Sequence, residues 1–142
     1  QQTTDATVDK LRAALEQQAA DLVHTERLAF CGARPRATAL APDWHLTLLA
    51  SRYEGGCPLS AIESAAAGIP FVAPPLPALR ETVPACLLAP GDSPAQLAAA
   101  VQQVLALPSL QIQRALDSLL ARHAVPRFTD QWQQVLREAA AC

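Results

Sequence analysis

Residues 51–70, Ser51-Arg-Tyr-Glu54-Gly55-Gly56-Cys57-Pro58-Leu59-Ser-Ala-Ile-Glu63-Ser-Ala-Ala-Ala-Gly68-Ile-Pro70, hold the groups of this chain best suited to chemistry. Gly55, Gly56 and Cys57 lead into a helix start at Pro58 and Leu59. A glycine-rich turn at that place leaves backbone N–H groups free and adds the positive end of the helix dipole. Such a turn suits a phosphate. The carboxylates of Glu54 and Glu63 stand on either side of it and accept hydrogen bonds from hydroxyl groups. A ligand combining phosphate with several hydroxyls, as a nucleotide sugar does, would use all of these groups.

The elements that must hold this segment can be read on both sides of it. His45 to Ala50 is an apolar run of strand type. Pro58 to Ala67 predicts a helix with Pro at its first position, and Gly68 and Pro70 end it. Phe71 to Ala73 and Cys86 to Ala89 predict two more strands, with residues 74–81 a proline-rich loop between them. Upstream, Thr4 or Asp5 can cap a helix whose stripe is Val8, Leu11, Leu15, Ala19 and Leu22. Leu28 to Cys31 predicts a buried strand, and residues 33–43 a loop. Downstream, Ser93 and Pro94 start a helix with Leu97, Val101, Val104 and Leu105 on one face. Pro108 and Ser109 break it. A second helix follows from about Leu110 to Arg122, and Thr129 can cap a third that carries Trp132, Val135, Leu136 and Ala139. Short buried strands alternating with helices indicate an α/β fold, a Rossmann-like parallel sheet with flanking helices. The chain is expected to be one such domain over 1–142, ending in C-terminal helices from about 109.

Composition narrows the function classes. The chain has 142 residues, enough for a core, with 51 % hydrophobic but only 4 % aromatic residues. The core must therefore be built mainly of Leu, Val, Ile and Ala. Net charge is −2, and no basic stripe is present, which argues against nucleic acid as a partner. No apolar run approaches the ~20 residues that span a bilayer. Cysteines stand at 31, 57, 86 and 142 with no C-x-x-C pair and no His at zinc-ligand spacing. No metal and no cofactor are expected, and reduced thiols fit a cytoplasmic protein. The chain opens Gln1-Gln2-Thr3-Thr4 without a signal-peptide pattern and without Met, so a piece of a longer or processed protein is expected.

In sequence order these features resemble the C-terminal, nucleotide-sugar-binding domain of family 4 type glycosyltransferases, which have the GT-B fold. The resemblance rests on Ser51-Arg-Tyr-Glu54-Gly, Cys57-Pro58, Glu63 and Gly68-Ile-Pro70-Phe-Val-Ala. It continues through Glu81-Thr-Val, Leu87-Leu-Ala-Pro-Gly-Asp92, the helix from Pro94, and Ala121 to Phe128 with Trp132. It implies a retaining glycosyltransferase that moves a sugar from a nucleotide-diphosphate donor to a glycan or lipid-linked acceptor, as in polysaccharide biosynthesis. It implies Glu54 as the catalytic residue, near the transferred sugar. Gly55, Gly56, Cys57, Pro58 and Leu59 would bind sugar and phosphate, and Glu63 would bind both ribose hydroxyls. No metal is implied, because positive groups and a helix start balance the diphosphate. A separate N-terminal domain would supply the acceptor, and peripheral membrane association of the full protein would be compatible with this.

The chain departs from the family pattern at three places. Eight residues separate Glu54 from Glu63, where the family has seven. The Gly-Gly before the later glutamate is replaced by Pro77-Ala, and Pro77 has no N–H to give a phosphate. The family's first two strands and its basic pair have no counterpart before Leu28. In the family's strand order, 3-2-1-4-5-6, that leaves Leu28–Cys31 without a neighbour and an open edge at Leu46–Ala50. The isolated chain is expected to be inactive, and an apolar edge invites pairing with another copy, as a swapped dimer or other homo-oligomer.

The first and second departures keep a second class of function open, a non-catalytic binding or assembly module of GT-B ancestry. An unrelated doubly wound domain is a third, since fold does not fix function. For the single residues the plain structural readings stand beside the functional ones. Glu63 can be a surface helix carboxylate, Glu54 a loop carboxylate, and the glycines a tight turn. Cys57, at a helix start, has a position that lowers a thiol pKa. Arg34 could approach a nucleotide base, and Arg52 and Arg80 could face a diphosphate, or all can be surface charges. Packing roles are expected for His45, Trp44 and Trp132.

Overall fold

The computed structural model describes residues 2–32 and 43–140. The chain divides into two compact units, Gln1–Arg36 and Ala37–Cys142. In the first, α1 spans Gln2–Gln18 and α2 Ala20–His24. Thr4 and Asp5 thus lie inside α1 rather than at its cap. The stripe of Val8, Leu11, Leu15 and Leu22 is present but exposed. The carbonyls that end α2 are closed by Arg27 N–H to Leu22 O (2.8 Å) and Glu26 N–H to Val23 O (3.1 Å), with Glu26 at φ 56°. This is the left-handed closure usually given to glycine. The strand expected at Leu28–Cys31 is not formed. Its backbone is irregular, and Leu28 is exposed. An apolar run of this length becomes a strand only with a ladder partner, and none pairs with it among the described residues. The expected loop at 33–43, with Arg34, lies outside the described residues up to position 42, as does Cys142.

The second unit is organised by a short parallel ladder. β1 (Thr47–Leu48) pairs with β2 (Phe71–Val72) in the register Thr47 to Phe71 and Leu48 to Val72. Thr47 N–H donates to Pro70 O and Leu49 N–H to Val72 O, both at 2.9 Å. On the other side of β2, Ala73 bridges Leu88 in parallel, with Ala73 N–H to Leu87 O at 3.0 Å and Ala89 N–H to Ala73 O at 2.8 Å. Phe71, Val72 and Ala73 are wholly buried. β2 is therefore covered on both faces and paired on both edges, as the inner strand of a parallel α/β layer must be. The α/β, partial Rossmann-like reading holds, with a smaller sheet than expected.

Between the strands, α3 (Leu59–Ala66) buries Ala61, Ser64 and Ala65. The Ser64 hydroxyl donates to the Thr47 hydroxyl at 2.9 Å, so the buried polar group is satisfied and α3 is tied to β1. Pro58 caps α3 from outside instead of occupying its first position. The helix ends as expected. Gly68 sits at φ 74°, Ile69 N–H donates to Ser64 O (2.9 Å) and Gly68 N–H to Ala65 O (3.0 Å).

Three expectations downstream are corrected. Residues 74–81 are not all loop, because Pro77–Thr82 forms α4, with Pro77 at its start, where a missing N–H costs nothing. The strand over Cys86–Ala89 shrinks to the Leu88 bridge, since Pro84 opens a 3-10 turn over Ala85–Leu87. Thr129 caps nothing. Its hydroxyl donates to Val125 O (3.0 Å) inside α7, Val125–Ala140, whose start signal is Pro126 in the first turn.

The remaining helices are where the pattern placed them. α5 (Pro94–Leu105) opens with a reciprocal cap, Gln96 N–H to the Ser93 hydroxyl and Ser93 N–H to the Gln96 side chain, both 3.3 Å. α6 (Ser109–Arg122) buries Ala115, Leu116 and Leu119 and packs on α3. The core is aliphatic, with Phe71 the single aromatic side chain among its buried members. The packing roles given to His45 and Trp44 are not met, as both are exposed; Trp132 is also exposed but packs edge-to-face on Phe128, ring centroids 6.2 Å apart. Gly68→Ala should destabilise this unit by ~1–2 kcal/mol, the cost of a side chain in the left-handed region. Chemical denaturation checks it, and unchanged stability would show that the turn can close another way.

Candidate functional site

Parallel strands end on the same side of a sheet, so β1 and β2 deliver their following loops side by side. Two hollows lie there. The larger, about 490 Å³, is lined by Ala50, Ser51 and Arg52 after β1, by Pro74 after β2, and by Asp92, Ser93, Pro94 and Leu97 at the head of α5. The smaller, about 310 Å³, is lined by Arg52, Tyr53, Glu54 and Gly55 from the first loop and by Leu76, Pro77 and Ala78 at the head of α4. Arg52 belongs to both.

The expected site residues are distributed unevenly around them. Glu54, half-buried, and Gly55 line the smaller hollow. Gly56 is exposed, and a Cβ added there would meet nothing. Cys57 and Pro58 are partly buried at the entry to α3, and Leu59 is 74 % exposed. Pro58 gives α3 no side-chain cap; Ala61 N–H closes on Pro58 O at 3.0 Å, which leaves the Leu59 and Ser60 amides to an outside acceptor. Glu63 lies on the exposed face of α3 and lines neither hollow. The structure thus brings Glu54 and Gly55 together with the α4 start, and leaves Glu63 on an open face.

The expectation of an acidified Cys57 thiol is corrected. Burial pushes its pKa up, and the Glu54 charge adds to the rise, against a hydrogen bond with the Thr82 side chain that lowers it. The desolvated thiolate and the nearby carboxylate outweigh the helix start. Arg80 is also committed elsewhere, since its Nε donates to Pro75 O at 2.7 Å and braces the loop before α4. Among the described residues no cluster of three or more His, Cys, Asp and Glu side chains could hold a metal ion. None of the helices described is long and apolar enough to cross a membrane.

The family model for glycosyl transferases of group 1 matches residues 6–107. The chain belongs to this family. The match covers both loops and both hollows of this group 1 glycosyltransferase, together with the whole of α5. No curated protein and no solved structure gives a significant match.

Two groups of lining residues escape the sequence reading. Leu76, Pro77 and Ala78 look like loop until Pro77 is seen as a helix opener. Asp92 and Ser93 carry a usable signal, the Ser-Pro-x-Gln capping pattern just past an apolar run. Because its pKa is raised, Cys57 should stay protonated at neutral pH. Its alkylation should be slow there and should accelerate only above the ordinary thiol range. Alkylation rates followed by mass spectrometry against pH check this, and a fast, pH-independent reaction near neutrality would contradict it.

Proposed function

We propose that this chain is the nucleotide-sugar-binding part of a retaining family 4 type glycosyltransferase, with the donor at the strand ends between the β1 and α4 loops. The observation that carries the reading is the placement of Glu54 and Gly55 in one hollow with the start of α4, beside the uncapped start of α3. In this reading the amides around Gly55 to Leu59 receive a phosphate, which the positive end of α3 favours. The diphosphate then leaves with its charge balanced by fixed dipoles and by Arg52, the cation on the rim of both hollows. Glu54 accepts hydrogen bonds from the sugar and steadies positive charge at the anomeric carbon as the glycosidic bond to phosphate breaks. Glu63, on the open face of α3, accepts from the ribose hydroxyls.

The acceptor belongs to a second domain outside this chain, so the chain on its own binds donor without transferring sugar. The openness of the smaller hollow agrees with a site completed by another domain, since Tyr53 on its rim is 84 % exposed.

Calorimetric titration with uridine and guanosine diphosphates and their sugar derivatives tests the reading. Glu63→Ala should weaken binding by about 1.5–3 kcal/mol, roughly tenfold or more, because a charged acceptor is lost from two hydroxyls. Glu54→Gln should lower affinity for the nucleotide sugar and leave that for the bare diphosphate nearly unchanged. Equal affinity of all variants for all ligands would remove both glutamates from the site.

A further inference from the structure

Every residue of α7, Val125–Ala140, is exposed, whereas α5 and α6 each bury three. Val125, Phe128, Trp132, Val135 and Leu136 are 53–74 % exposed. A lone helix of 16 residues is marginal in water, and most helical stability in proteins comes from packing an apolar face. The face of α7 therefore calls for a cover.

The spacing says what kind. Val125, Phe128, Trp132, Val135 and Ala139 follow one another at steps of three, four, three and four. Those are the seam positions of a coiled coil. Leu136 widens the seam by one place. Phe128 and Trp132 meet edge to face, ring centroids 6.2 Å apart. Together with Gln131 and Val135 they outline a hollow of about 290 Å³. Four residues in that arrangement form the hole that a side chain of a facing helix enters. A lipid surface is a poorer cover. Outside the seam Arg127 and Arg137 are balanced by Asp130 and Glu138, and helices that lie on membranes carry a basic excess.

The distribution of bulk identifies the facing helix. Phe128 and Trp132 stand in the first half of the seam, and the smaller Val135 and Ala139 in the second. A second α7 laid antiparallel sets Trp132 opposite Val135 and Phe128 opposite Ala139. Each layer then joins a large side chain to a small one, as a well-filled seam requires. Val135 of the second copy stands at the level of the hollow. A parallel pair would set ring against ring. The antiparallel order also opposes the helix dipoles favourably, and its twofold axis makes every contact twice.

We propose that α7 is a self-association surface through which two copies of this chain pair as an antiparallel helix dimer. Two facing stripes remove on the order of 1,000 Å² from water, the threshold of a specific interface, so association in the micromolar range is expected. The proposal does not depend on the nucleotide-sugar reading, because α7 lines neither strand-end hollow.

Sedimentation equilibrium of the chain between about 1 and 100 µM tests the proposal. A reversible monomer–dimer equilibrium is expected. In a Trp44→Phe background, Trp132 emission should move to shorter wavelength as the dimer forms. Trp132→Ala and Phe128→Ala should each weaken association about tenfold or more. Ala139→Phe should weaken it by setting ring against ring. The double variant, Phe128→Ala with Ala139→Phe, should recover most of the original affinity. Exchange of the buried Phe71 to Ala73 amides reports that the core stays folded in each variant. A monomer at the highest concentration would overturn the proposal. A shift of Trp132 emission seen only with phosphatidylglycerol vesicles would overturn it in favour of a membrane surface. A dimer indifferent to Trp132→Ala and Phe128→Ala would overturn it too, since the contact would then lie elsewhere. A double variant no better than Ala139→Phe alone would contradict the antiparallel order.

Discussion

β2 must bury its backbone on both sides, and most of the second unit follows from how it does so. Phe71, Val72 and Ala73 are inaccessible to solvent, and an unpaired buried N–H or C=O would cost on the order of 1–3 kcal/mol. On one edge the Pro70 and Val72 carbonyls accept from Thr47 and Leu49, and on the other Ala73 donates to Leu87 O and accepts from Ala89. Each of these partners runs parallel to β2, so every connection has to cross back over the layer. The crossings are α3 on one side and α4 with the 3-10 turn on the other. Because all the segments run the same way, the loops that follow them gather at one end, and both hollows lie there.

The same constraint explains why so small a ladder suffices. Among the described residues the sheet proper has two strands, yet α3 and α5 pack on it and α6 packs on α3. Ala61, Leu79, Leu87, Leu116 and Leu119 are all at 0 % exposure. Burial of that kind, about 25 cal/mol per Å² of apolar surface, holds the layer together more than its few ladder bonds do. The Ser64–Thr47 hydroxyl pair fixes the register of α3 on β1, and thereby fixes where Gly55 to Pro58 can lie. Site and core are thus coupled through one helix with a buried face of small residues and an outer face that carries Glu63.

How much of this was legible varies by element. The α3 unit was clear because its signals are local, a proline before it and a glycine after it that only the left-handed region requires. The helices α5 and α6 were clear for the same reason. The strands were less so. Leu28–Cys31 and Cys86–Ala89 have the apolar composition of strands, but a strand exists only where a partner is paired, and pairing is not local. α4 is hidden because Pro77 reads as a loop marker and not as a helix opener, and α7 begins before Thr129, the capping residue that the sequence offers for it. In the site, Glu54 and Gly55 came from their position at a strand end. The raised thiol of Cys57 and the bracing of the Pro75 carbonyl by Arg80 depend on burial and on distant partners, which no spacing along the chain reveals.

The strand-end loops are proposed to bind a nucleotide sugar. Amide hydrogen exchange with and without such a sugar tests this most directly. Protection should rise in residues 50–59 and 74–79 and stay unchanged in α1 and α7. The amides of β2 should be slow in both states. Protection confined to other segments, or no change at saturating ligand, would contradict the claim.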